Sequence, residues 1–305
     1  MRVPLFQSKD AYLAQPAVAA FCEFLAETIS GIRSVRPPVH LLEEAGDEEI
    51  LPHTLEEAFA GYQWRGEGFE ENAQLLNEMQ VTLRSSVAEA NAELCLDAVS
   101  ECLRWGLGHS APYKRNMLWA EHNKAALPEL LAMGTEAVEG DALEIECFRD
   151  AVRMNSGYTK VFSLLSEGSI MYDSRVAAAL GLIVALFWQQ VAGFEDSDFT
   201  LLAFPRVPHR APRNRNASFW DVRMIAPDPA EFSRGYKSFP STNNDSRKHA
   251  MANIVANWVL RDALNRSLSH DGRGALWCDT NDSLRRVEAA LFMIGQEVPR
   301  FSSAN

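Results

Sequence analysis

Two residues of the chain, Lys160 and Asp173, stand thirteen positions apart where their side chains could do chemistry together. A glycine turn, Asn155-Ser156-Gly157, leads into a predicted short helix that carries Lys160 in its first turn. The positive end of a helix dipole and partial burial both favour the neutral, nucleophilic form of an amine. Asp173 stands at the predicted N-cap of the next helix, where a carboxylate could stabilise developing positive charge or activate a water.

Taken singly, each residue has a more ordinary interpretation. A lone lysine is usually a surface side chain, and a lone aspartate before a helix is usually a plain N-cap worth about 1 kcal/mol. The pair with its flanking residues favours a nucleophile and a carboxylate that share one site.

The elements that must position these residues are predicted to be helices. The apolar run 176–188 is 13 residues long, whereas a bilayer span needs about 20, so the run predicts a buried core helix over 174–191. Apolar residues at i, i+3 and i+4 spacing predict an amphipathic helix over 8–33. Further helices are predicted over 70–84, 87–105, 116–133, 141–153, 159–166, 248–268 and 283–294. Without a strand-rich segment or an internal repeat, the chain is expected to be all-α, or mostly helical.

Charge is distributed unevenly along the chain. The net charge is −12, yet residues 201–250 hold nine Arg or Lys against four acids. The segment 203–245 is rich in Pro, Arg, Asn and Ser and predicts a long irregular basic excursion. A basic face on an acidic body can bind phosphates with salt-sensitive affinity. Equally, these arginines could pair with the surplus acids, and composition leaves both alternatives open.

Cysteines and histidines exclude several other kinds of site. The five cysteines form no CxxC pair, which favours reduced thiols over a disulfide framework. The seven histidines include no HExxH motif, so no metal and no cofactor are expected. No long apolar run opens the chain, and a cytoplasmic monomer without a membrane partner is expected.

The residues around Lys160 and Asp173 match a known pattern. Thr159-Lys160-Val161, followed by Asp173-Ser174-Arg175-Val176 and the small-residue run 176–181, resembles the helix-hairpin-helix DNA glycosylases, in particular their 8-oxoguanine glycosylase-like branch. It is also similar to bacterial proteins of that fold associated with phage defence. These motifs cover about 25 residues, and a looser likeness of helical layout covers 60–195 and 284–294. The family hairpin Leu-Pro-Gly-hydrophobic-Gly is replaced by the residues 154–158, Met-Asn-Ser-Gly-Tyr, and the Lys-to-Asp spacing is shorter.

This resemblance implies a fold, a partner and a reaction. The fold is one two-lobed glycosylase-like unit over 1–305, with 60–195 as the central lobe and 203–245 as the basic excursion. The partner is DNA, from which a modified base is flipped and excised. Lys160 is implied as the Schiff-base nucleophile, and Asp173 as the carboxylate that stabilises developing positive charge or activates a water. Nine further residues are candidates for the base pocket or DNA contacts: Tyr158, Phe162, Tyr172, Arg175, Arg206, His209, Arg210, Arg213 and Arg215.

Two other function classes stay open at this point. The missing hairpin glycines and the acidic net charge favour a DNA-binding or protein-interaction module that keeps the fold without the chemistry. A purely structural helical scaffold is the third possibility. Whether Lys160 and Asp173 converge in one concave pocket separates the first hypothesis from the other two.

Overall fold

All regular elements of the described chain are helical. The computed structural model describes residues 6–37, 52–191, 193–194, 198, 200–204, 246–269 and 275–295. Within these ranges, extended pairing is limited to two isolated bridges, Ser8 with Ala142 and Trp64 with Glu67, which confirms the mostly helical class. The helices are α1 (Lys9–Leu13), α2 (Pro16–Ile29), α3 (Leu55–Ala60), α4 (Phe69–Ala88), α5 (Ala92–Leu107), α6 (Ala111–His122), α7 (Leu127–Glu139), α8 (Cys147–Asp150), α9 (Tyr158–Leu165), α10 (Ser174–Gln190), α11 (Ser246–Ser269) and α12 (Ser283–Ile294).

Several helix starts are fixed by polar side chains that accept a hydrogen bond from the first turn. Thr54 accepts from the backbone N–H of Glu57, Asn91 from that of Leu94, and Ser110 from that of Tyr113. Each such cap satisfies a backbone donor that has no partner within the helix. Threonine, asparagine and serine therefore mark the beginnings of α3, α5 and α6.

The first predicted helix, over 8–33, is wrong in two places. The chain breaks between α1 and α2 at Gln15-Pro16, because a proline is tolerated at the first position of a helix but not in its interior. At its other end α2 stops at Ile29, before Gly31, whose φ of +71° suits glycine. Beyond this stop Ile32 is 48% exposed, so it does not continue the buried stripe.

The described chain forms two compact units, each assembled from separate stretches of sequence. The first unit contains 6–11, 63–173 and 246–257. Its helices α4, α5, α6, α7 and α9 pack against one another, and all eight residues of α9 are buried. A Cβ at Gly134 on α7 would lie 2.5 Å from the ring of Phe162 on α9, so these two helices meet closely only because position 134 is glycine.

The second unit contains the described residues of 12–62, 174–204 and 258–295. In it α12 packs against α3 and α10, and a Cβ at Gly295 would come within 1.9 Å of the Arg175 carbonyl oxygen. Residues 176–187 of α10 are all buried, which confirms the predicted core helix. None of the described helices is both long and apolar enough to span a membrane.

Candidate functional site

Lys160 and Asp173 meet in the first unit. The Lys160 Nζ lies 3.4 Å from the Asp173 Oδ2, and it also donates a hydrogen bond of 3.1 Å to the Ser156 carbonyl oxygen. The Lys160 side chain is 7% exposed and that of Asp173 is 17% exposed. An ion pair in so dry a setting interacts more strongly than one on the surface, since little water screens it. The two side chains that the spacing singled out therefore form one partly buried cluster.

A turn that is stabilised by the Asn155 side chain places Lys160 at this position. The Asn155 Oδ1 accepts hydrogen bonds from the backbone N–H groups of Gly157 at 2.9 Å and Tyr158 at 3.2 Å. These bonds satisfy donors at the beginning of α9 that lack partners in the helix. A Cβ at Gly157 would lie 2.4 Å from the Asn116 Nδ2. The glycine is thus required by the close approach of Asn116 rather than by its φ of −79°.

The lysine stem lies across a glycine of a neighbouring helix. A Cβ at Gly106, near the end of α5, would come 2.3 Å from the Lys160 Cδ and 2.6 Å from its Cε. Any larger residue at this position would displace the lysine chain from its path toward Asp173. Gly106 therefore defines the space that Lys160 occupies.

A buried polar stripe on α11 holds the loop that ends at Asp173. The Asn257 Oδ1 accepts from the Ile170 N–H at 3.0 Å, and the Asn253 Nδ2 donates to the Ile170 carbonyl at 3.2 Å. One turn earlier, the His249 Nε2 donates to the Tyr172 carbonyl at 3.1 Å. Three side chains of one helix thus fix the loop backbone up to the residue before Asp173.

Sequence reasoning missed this stripe, although a signal for it exists. Positions 246, 249, 253 and 257 repeat at helical spacing, carry Ser, His, Asn and Asn, and are all buried. Buried polar side chains at regular spacing indicate hydrogen-bonding partners from elsewhere in the fold. The sequence does not tell that His249, Asn253 and Asn257 bond the loop before Asp173, whereas Ser246 accepts from the Met154 N–H.

His249 is electrostatically connected to the ion pair. The pKa of His249 is lowered to about 4, chiefly by burial and also by the positive charge of Lys160, whereas the hydrogen bond to the Tyr172 carbonyl and the charge of Asp173 act in the opposite direction. The ring is consequently neutral near pH 7, and Nε2 carries the proton that it donates to Tyr172. The imidazole therefore adds no positive charge beside the ion pair near pH 7.

The three aromatic residues predicted near the site are core residues. Tyr158, Phe162 and Tyr172 are each 0% exposed. Tyr158 packs edge-on against Trp119 with ring centroids 5.0 Å apart, and Tyr172 packs edge-on against His249 at 5.7 Å. Stacking of these rings on a base stays a prediction, and it requires that a buried ring face become accessible.

The remaining predicted site residues divide into two groups. The Arg175 guanidinium lies in the second unit over the ring of Phe292, 4.4 Å from its centroid. The other residues lie outside the described part of the chain: Arg206, His209, Arg210, Arg213 and Arg215. Their assignment to DNA contacts stays a prediction.

An open cleft elsewhere in the first unit does not include the ion pair. It has a volume of about 920 Å³, and its lining includes Met133, Ile145, Cys147 and Arg247. Burial raises the pKa of the Cys147 thiol, so this side chain is a poor nucleophile near pH 7. Across the described ranges, no cluster of three or more His, Cys, Asp or Glu is placed to hold a metal ion.

Comparison of this chain with protein-family models, with curated proteins and with solved structures finds no match. A functional assignment therefore depends on the geometry of the site and on the sequence resemblance around residues 154–181.

Proposed function

We propose that the protein is a DNA glycosylase of the helix-hairpin-helix type that excises a modified base. The observation that carries the proposal is the 3.4 Å contact between the Lys160 Nζ and the Asp173 Oδ2 in a largely buried setting. An amine nucleophile needs an adjacent group that can accept its proton, and a nearby carboxylate also stabilises a sugar cation. Both requirements are met by one pair of side chains.

The proposed reaction starts with transfer of a proton from the Lys160 ammonium to Asp173. The freed lone pair attacks C1′ of the flipped nucleotide while the C1′–N bond breaks, and the departing base keeps that electron pair and takes up a proton. The new secondary amine then loses a proton as the C1′–O4′ bond opens and O4′ gains one, which leaves a protonated imine between Lys160 and the sugar. If Asp173 instead directs a water to C1′, the product is an abasic site.

The proposed substrate is DNA that carries an oxidised or a phage-hypermodified base, such as glucosylated hydroxymethylcytosine. Both classes follow from the resemblance around residues 154–181 rather than from a described base pocket. The biological role is accordingly base-excision repair or defence against phage. The substrate pool that gives a reaction decides between these roles.

Borohydride trapping tests the proposal directly, because borohydride reduces an imine to a stable amine. The protein is incubated with oxidised cellular DNA and with hypermodified phage DNA, in parallel with Lys160→Ala. We expect a covalent adduct with wild type and none with Lys160→Ala. Lys9→Ala is the matched control, since Lys9 also pairs with an aspartate of the first unit, Asp141, at 3.2 Å.

If no adduct forms, release of abasic sites by wild type but not by Asp173→Asn would establish water-based excision. Absence of both products on every DNA tested would refute the proposal. The burial of Lys160 specifically favours the second candidate in that case, a DNA-binding or protein-interaction module in which the ion pair is structural.

Replacing Gly106 with alanine is expected to lower the rate of adduct formation about 100-fold, since displacing a reacting group by about 1 Å costs that much. The new Cβ would stand 2.3 Å from the Lys160 Cδ, and the flexible lysine moves more easily than the helix. Alanine also favours helix by up to about 1 kcal/mol over glycine, so the unfolding midpoint should not fall sharply.

Single-turnover rates and denaturant unfolding of Gly106→Ala measure the two effects separately. Gly61→Ala is the control, because the nearest atom to its Cβ is the Ala58 carbonyl oxygen at 3.6 Å, an ordinary contact. An unchanged rate in Gly106→Ala would show that the lysine position is not needed for the reaction.

A further inference from the structure

Two stretches of the chain that border Lys160 contain no acidic residue. Residues 102–120 and 151–166 include neither Asp nor Glu, although the whole chain carries 41 acids among 305 residues. The first stretch contains the end of α5 and most of α6, and the second contains the Asn155 turn and α9. These two stretches therefore carry no negatively charged side chain, although the protein as a whole is acidic.

Except for Lys160, the basic side chains within these stretches make no ion pair with any residue that the structure describes, and neither does Arg65, which contacts the first stretch. These five cations are Arg65, Arg104, Lys114, Arg115 and Arg153. Elsewhere in the first unit, five of the six described cations are paired with acids, and Lys248 is the exception. The five pairs are Lys9–Asp141, Arg84–Glu167, Lys124–Glu93, Arg149–Glu146 and Arg247–Glu146. Acids are therefore available in this unit, yet the cations near the two stretches do not pair with them.

Arg104 near the end of α5 and Lys114 and Arg115 at the start of α6 flank the corner between these helices. Contacts place Arg65 and Arg153 against the same two helices. The Arg65 Nη2 donates to the Arg104 carbonyl at 3.0 Å, and the same nitrogen would lie 3.2 Å from a Cβ at Gly108. Across the corner, the Arg153 Nε donates to the Asn116 Oδ1 at 2.9 Å. These contacts bring both arginines against the corner from different segments of the chain.

Arg115 adds positive charge beside Arg153. Burial lowers the pKa of the half-buried Arg153, Tyr158 acts in the opposite direction, and the neighbouring Arg115 contributes to the lowering. Two guanidinium groups in mutual repulsion without a carboxylate leave the local field positive, which an anionic ligand would relieve. Lys114 and Arg115 are both exposed on α6, so such a ligand can reach them.

We propose that the α5–α6 corner is a binding surface for the phosphate backbone of DNA, formed by Arg65, Arg104, Lys114, Arg115 and Arg153. The proposal rests on the proposed function in taking DNA as the ligand. Repeated phosphodiester charges match a row of unpaired cations spread over several segments, whereas one free phosphate would occupy only part of it. Gly106 of the same corner touches Lys160, so backbone contacts made here would hold DNA beside the buried lysine.

The experiment measures binding to a fluorescein-labelled duplex of about 25 base pairs without modified bases, between about 50 and 200 mM salt. The full-length variant Lys114→Gln/Arg115→Gln is compared with Lys124→Gln/Arg149→Gln, whose cations pair with Glu93 and Glu146. Both variants lose the same charge. Removal of two phosphate contacts should make the slope of log K against log salt shallower by about 1.8. The ratio of wild-type to variant affinity should then fall about twelvefold over that salt range.

Three outcomes would overturn the surface. One is equal salt slopes for the two double variants, because the loss of binding would then depend only on the net charge of the protein. The second is no binding of wild type at about 50 mM salt. The third is displacement of the duplex by polyglutamate at equal charge concentration, which would indicate an acidic protein as partner. The duplex contains no modified base, so this binding experiment does not depend on the glycosylase reaction. If no adduct is trapped and no abasic site is released, but the slopes of the two double variants still differ, the glycosylase proposal is refuted and the DNA-binding surface is supported.

Discussion

Replacement of Asp173 by asparagine is expected to slow base release about a thousandfold while the protein stays folded. Asparagine matches aspartate in size and still offers an oxygen to the Lys160 ammonium, which in wild type lies 3.4 Å from the Asp173 Oδ2. It carries no negative charge and accepts no proton from the amine. General acid–base catalysis contributes about 10²- to 10⁴-fold, and electrostatic stabilisation of the transition state about as much.

Single-turnover release of the base, on whichever DNA pool gives an adduct, measures this effect. Asp141→Asn serves as the control, because its carboxylate pairs with Lys9 on an exposed part of the first unit. A rate for Asp173→Asn within about tenfold of wild type would mean that Asp173 only anchors the lysine.

The local elements around the site were predictable because their signals are local. The helix predicted over 159–166 is α9, Tyr158–Leu165, and the helix predicted over 174–191 is α10, Ser174–Gln190. A glycine turn precedes the first, and an uninterrupted apolar run forms the second. Both signals depend on residues within one or two turns of the element that they specify.

The segment 141–153 shows where local patterns fail. It predicted one helix, yet the structure keeps only α8, Cys147–Asp150. Its first part pairs with the N-terminal segment instead, since the Leu143 N–H donates to the Gln7 carbonyl at 2.8 Å and the Lys9 N–H to the Asp141 carbonyl at 2.7 Å. Partners more than 130 residues away satisfy this backbone, and an amphipathic pattern contains no information about them.

The site shows the same division. A shared site for Lys160 and Asp173 was a hypothesis drawn from the pattern of residues around them, and the structure brings the two side chains within 3.4 Å. The roles of Gly106 and Asn257 were not foreseen, because each acts on the site from a helix distant in sequence. A glycine near a helix end looks like a stop signal, and a buried asparagine looks like a local exception. Only their neighbours in space show that one makes room for Lys160 and the other fixes the loop before Asp173.

The free energy of unfolding should fall by about 3 kcal/mol between pH 6.5 and pH 4 because of His249 alone. Burial lowers the pKa of this side chain to about 4 in the folded protein, against about 6.5 in the unfolded chain. In that interval the unfolded state binds a proton that the folded state excludes, so falling pH favours unfolding. Below about pH 4 both states are protonated and the contribution of His249 stops changing.

Carboxylates also titrate in acid, so the effect must be isolated with a matched variant. His249→Gln keeps an N–H that can donate to the Tyr172 carbonyl, the bond that His249 makes at 3.1 Å, but it does not titrate. Urea unfolding of wild type and His249→Gln at several pH values between 7 and 4 should give curves that diverge as the pH falls, with wild type losing more stability. Parallel curves would contradict the prediction, because they would mean that His249 is equally easy to protonate in both states. Protonation of His249 would also change the charge of the site, because it places a second positive charge beside Lys160. The hydrogen bond to the Tyr172 carbonyl is kept, since Nε2 carries its proton in both forms.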